Sequence, residues 1–190
     1  PPAPCNRRRF AGISLPLAAL LTVSWGVALA WSVDATHFSG ELLLAAEFLA
    51  DAAWLMFLAS LLSGGLMTQR VWFVRYAGAL LALAMLVLGL LLANVEPLGA
   101  IGISPGDVLV FGSILTSLYG LVSLEQIYRN ARENQTAELK HLCLGLAAIF
   151  IIDLLLYSNA FISGEIAAAL WEARGYVVAM SAPLLALSIH

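Results

Sequence analysis

Charge is what this chain has least of. Charged residues occupy 11% of its 190 positions, against about 25% in an ordinary soluble domain. There are two cysteines, Cys5 and Cys143. They lie far apart, one on an N-terminal arm and one inside an apolar run, and they do not make a disulfide framework. The three histidines, His37, His141 and His190, are scattered with no metal-ligand spacing. No lysine falls in the middle of an apolar run to carry a retinal Schiff base. There is no HExxH and no glycine-rich phosphate loop, which removes the common metalloprotease and nucleotide-binding readings. His141 and Cys143 are two apart, so on a helix their side chains diverge and do not form a thiol-protease dyad. Cys143 reads as a small buried hydrophobe. No repeat of 20 to 50 residues is evident.

What fills the space is apolar. Hydrophobic residues make up 62% of the chain, and the mean hydropathy is +0.93. The core of a soluble domain of this length does not require that much, and the chain reads as a polytopic membrane protein. A helix rises about 1.5 Å per residue, so roughly 20 apolar residues cross a hydrocarbon layer of about 30 Å. Six segments qualify: Ala11 to Trp31, Glu41 to Leu62, Phe73 to Ala93, Pro105 to Tyr128, Leu139 to Phe161 and Trp171 to His190. The runs are continuous and do not alternate, which favours helices over a barrel. The expected fold is therefore all-α, a transmembrane bundle of about six spans.

Eight of the nine basic residues fall on one side of that bundle. Arg7, Arg8 and Arg9 precede the first span, Arg70 and Arg75 flank the loop after the second, and Arg129, Arg132 and Lys140 lie between the fourth and fifth. Only Arg174 falls toward the other side. The positive-inside rule then puts both termini in the cytoplasm. Trp31 and Trp171 would sit near the outer interface and Trp72 near the inner one. The net charge of −3 is uninformative because charge is partitioned by side. The first run is too long for the apolar region of a secretory signal. The chain opens on Pro1-Pro2 and ends at His190 inside an apolar run, so both ends read as cuts in a longer protein, with residues 1–190 as its membrane part. The lipid bilayer is the expected partner, and nucleic acid is not.

Several local signals stand out. Ser104-Pro105-Gly106-Asp107 is a helix start: a capping serine, a proline suited to the first helical position and an acid for the exposed N–H groups. The fourth span runs on as Glu125-Gln126-Ile127-Tyr128-Arg129-Asn130-Ala131-Arg132-Glu133. Glu125 with Arg129, and Arg129 with Glu133, are pairs four apart, each contributing a few tenths of a kcal/mol. This extension, with Glu125, Tyr128 and Arg129, reads either as a solvated cytoplasmic helix or as a docking surface. Gly112, Thr116 and Gly120 share one face at intervals of four. That is a small-residue seam where helices approach closely, within the molecule or between subunits.

The acids inside apolar runs are the candidate ligand-binding or signalling residues. Glu47 and Asp51 share a face of the second span, Asp51 lying roughly 15 Å from its outer end. Asp153 lies roughly 12 Å from the outer end of the fifth span, with Tyr157 one turn further out. No Lys or Arg is placed mid-membrane to pair with them. The expectation is that these acids are protonated, hydrogen-bonded or in a wet cavity. Either they fix packing, or they line a polar cavity that binds a ligand or a proton.

The last third of the chain carries a resemblance. Leu124-Glu125-Gln126-Ile127-Tyr128-Arg129-Asn130, Lys140-His141-Leu142-Cys143-Leu144-Gly145, Asp153 with Tyr157-Ser158, Leu170-Trp171 with Ala173-Arg174-Gly175, and Ala182-Pro183-Leu184-Leu185-Ala186 together resemble the membrane region of PrsK-type sensor histidine kinases. That family accompanies the exosortase and PEP-CTERM protein-sorting system of Gram-negative bacteria. The likeness covers about the last 65 residues. Thr136-Ala137-Glu138-Leu139 and Asn159 depart from the family's pattern. The resemblance implies a sensory and anchoring domain without catalysis or cofactor of its own. It also implies a parent kinase that uses ATP and Mg, dimerises through its cytoplasmic domains and phosphorylates a response regulator. His190 lacks a phosphoacceptor's context. The alternative is a small transporter or ion pathway using Glu47, Asp51 and Asp153, and a third reading is a scaffold with no ligand.

Overall fold

The computed structural model describes residues 15–28, 40–62, 70–92, 105–130 and 136–187. Among the described residues the chain is all-α and holds no strand. Its helices are α1 (Leu15–Ala28), α2 (Gly40–Leu62), α3 (Arg70–Leu92), α4 (Pro105–Asn130), α5 (Thr136–Ser163) and α6 (Ala168–Leu187). Each overlies one of the six apolar runs. Trp31, His37, Ser104, Glu133 and His190 lie outside the described residues.

Two of the described helices are long and apolar enough to cross a membrane: Gly106–Arg129 within α4 and Leu139–Ser163 within α5. Their most apolar stretches are only 39% and 33% buried within the protein, unlike the core helix of a soluble domain. Leu118 and Val122 of α4 are exposed, as are Leu144, Ile151, Leu155 and Ile162 of α5. A helix apolar both toward its neighbours and away from them suits an apolar solvent.

The chain divides into two compact units, Pro1–Leu109 and Val110–His190. In the first, α2 packs against α3. Phe48, Ala52, Ala53, Trp54, Leu55, Phe57, Leu58 and Ala59 of α2 are all buried, so this helix is covered around most of its circumference. Its alanines leave room for neighbouring backbones. The Trp54 indole N–H donates to Thr22 Oγ1 of α1 at 2.9 Å, and the Thr22 hydroxyl donates to the Ala18 carbonyl at 2.9 Å. A buried indole needs such an acceptor.

In the second unit α5 packs against α6. The connection is short because α5 ends on Gly164, whose φ is +75°. That left-handed conformation favours glycine and closes the helix end. The Gly164 N–H donates to the Ala160 carbonyl at 2.9 Å, and the Ser163 hydroxyl donates to the Asn159 carbonyl at 2.8 Å. Far from this turn, α5 presents Gly145 to α6. A Cβ there would stand 3.3 Å from Leu185 and 3.4 Å from Leu184. The helices are thus closely apposed at that end too. Pro183 lies inside α6 and removes the donor that would reach the Ala179 carbonyl.

Candidate functional site

The buried face of α5 carries Leu146, Ile149, Phe150, Asp153, Leu156, Tyr157 and Ala160. One carboxylate therefore sits in the middle of an apolar stripe. Its partner comes from the next helix. Arg174 Nε of α6 stands 2.5 Å from Asp153 Oδ1, with the two side chains 5% and 4% exposed. This corrects the expectation from sequence that no cation is placed to pair with Asp153. The Arg174 side chain is buried against α5. Because the carboxylate has an ion-pair partner, protonation is not required to make its burial tolerable.

Each member of the pair brings an aromatic ring from its own helix. Tyr157 is one turn along α5 from Asp153, and Trp171 is one turn back along α6 from Arg174. The guanidinium carbon lies 5.8 Å from the centroid of the Tyr157 ring and 5.6 Å from that of Trp171. A planar guanidinium suits both partners, since it can pair with a carboxylate and rest against aromatic faces. Each cation–π contact contributes about 0.5–2 kcal/mol, more as water is excluded. The result is a four-residue polar cluster joining α5 to α6. It holds no nucleophile with an adjacent base. What it can do is hold two helices in one register and hold them differently if the pair is broken.

The remaining candidates are placed elsewhere. Glu47 is buried on α2 and Asp51, on the same helix, is half-buried. Both belong to the first unit, while Asp153 and Tyr157 belong to the second. On α4, Gly112, Thr116 and Gly120 are all buried. The Thr116 hydroxyl donates to the Gly112 carbonyl at 2.9 Å, and Gly120 lies under the ring of Phe150. Glu125 and Arg129 form a pair at 3.4 Å with side chains 65% and 76% exposed. A pair that open contributes about 0–1 kcal/mol, and Tyr128 beside it is exposed. Cys143 is a half-buried free thiol. Among the described residues no group of three or more His, Cys, Asp or Glu could hold a metal ion.

No family model matches the chain, and no curated protein or solved structure matches it either.

Proposed function

We propose that this chain is the membrane-embedded input domain of a bacterial sensor histidine kinase. In this reading it crosses the inner membrane six times with both termini in the cytoplasm. The observation that carries the proposal is the buried Asp153–Arg174 pair between α5 and α6. The resemblance to PrsK-type kinases rests in part on Asp153, Tyr157, Trp171 and Arg174, the four residues of this cluster. A signalling bundle needs an element with two discrete arrangements that a stimulus can bias. In this reading the buried ion pair between the last two helices is the element a stimulus would bias, and α6 is the helix that would lead to a kinase. The pair counts against Asp153 as a free proton carrier, because a guanidinium holds its carboxylate.

The reading frame beyond His190 tests this directly. A dimerisation helix with a phosphoacceptor histidine and an ATP-binding domain is expected there, and a stop codon at that point ends the proposal. Where a kinase does follow, inserting one residue after Leu187 rotates everything downstream by about 100°. Autophosphorylation is expected to change out of proportion to insertion length across one-, two- and three-residue insertions. A flat response would reduce the region to an anchor.

Topology is tested separately. In a cysteine-free background, His37→Cys and Gly99→Cys are expected to react with an impermeant thiol reagent in intact cells, as the positive-inside distribution requires. Labelling of Gln135→Cys instead would invert the bundle.

A further inference from the structure

α6 is a poor candidate for entering a membrane alone. Glu172, Arg174 and Gly175 fall in its first two turns and Pro183 near its end. Of these, the buried charge is Arg174. An arginine at membrane depth is among the least tolerated side chains for insertion. The structure answers that charge from the preceding helix. Asp153 pairs with Arg174, Tyr157 and Trp171 cover it, and the chain reverses at the Gly164 turn between them. Close packing of Gly145 against Leu184 and Leu185 joins the same helices at their far ends.

We infer that α6 enters the bilayer only as the second arm of a hairpin with α5, its arginine brought in as an ion pair with Asp153. This rests on the membrane reading proposed above. It adds that α6 is a conditional span, set by a residue of another helix. Loss of Asp153 would leave α6 outside, with its C-terminal end on the wrong face.

The test uses the whole chain in bacterial cells, with Cys5 and Cys143 replaced and Ser188→Cys as the reporter. The probe is an impermeant maleimide, and labelling is expressed per molecule of protein present. The parent is expected to be protected. Asp153→Leu is expected to raise labelling several-fold. Asp153→Leu with Arg174→Leu is expected to return it to the parental level, as is the charge swap Asp153→Arg with Arg174→Asp. If Asp153→Leu is degraded too fast to label, accumulation of the double variant supports the same coupling. Protection in Asp153→Leu equal to the parent overturns the inference, and so does a double variant that labels or disappears like the single one. A Gly99→Cys control separates the two levels. If Gly99→Cys is unlabelled in the parent, the membrane topology itself fails. If it labels normally while Ser188→Cys never changes, only the hairpin coupling fails.

Discussion

Asp153→Leu is expected to lower the stability of the detergent-solubilised protein by about 3–5 kcal/mol, the cost of removing one partner from a buried ion pair. The magnitude comes mainly from what is left behind. In those molecules that keep α6 packed on α5, Arg174 is nine-tenths or more covered by protein, its charge facing the space leucine now fills. The rings of Tyr157 and Trp171 remain near the guanidinium, but their attraction is weaker than a carboxylate's. Arg174→Leu alone leaves the mirror-image defect and is milder, because a carboxylic acid can take up a proton where a guanidinium cannot lose one. The double variant Asp153→Leu/Arg174→Leu removes both charges. Replacing a buried pair by apolar groups is often neutral or stabilising, so it is expected to recover most of the loss. Thermal or denaturant unfolding of the four proteins gives the coupling as a double-mutant cycle. Additive single and double effects, or an Asp153→Leu protein as stable as the parent, would show that the pair does not hold α5 to α6.

That pair also marks where reading the sequence stopped short. The helices were legible because each is a long apolar run interrupted by Gly, Pro or charge, and α2 through α6 fall within about three residues of the expected spans. Asp153 and Tyr157 stand out because polar groups in an apolar run are conspicuous and a spacing of four puts them on one face. Arg174 does not, because it lies across a hairpin from Asp153, where helical spacings of three and four give no signal. The missing step was the turn. Ser163-Gly164 ends a long apolar run with the residue that favours a left-handed closing conformation. Folding the chain back at Gly164 places position 153, eleven residues before it, opposite position 174, ten residues after it. At equal depth on two antiparallel helices, an acid and an arginine are natural partners. The exposed pair Glu125–Arg129 was easier to find and matters less, since water already satisfies both groups.

Gly120→Leu is expected to destabilise the protein by a few kcal/mol, as overpacking does. The spacing of Gly112, Thr116 and Gly120 indicates a seam but not which side chain fills it. At Gly120 that side chain is Phe150 of α5. A Cβ on Gly120 would stand 2.7, 2.7 and 2.8 Å from three of its ring carbons, well inside the separation two carbons tolerate. Phe150 is itself 2% exposed, so the ring has little room to retreat, and a branched side chain adds more atoms than a methyl. Gly120→Ala is therefore expected to destabilise as well, by less. Relief should come from the other side of the contact. Phe150→Leu removes ring atoms and costs stability alone through the cavity it leaves. Combined with Gly120→Ala, it should cost less than the sum of the two single changes. Thermal unfolding in detergent of the three variants and the parent measures this, and strict additivity would mean that the ring and the glycine are not in contact. A Gly120→Leu protein with unchanged thermal stability would place the close approach of α4 and α5 at another position.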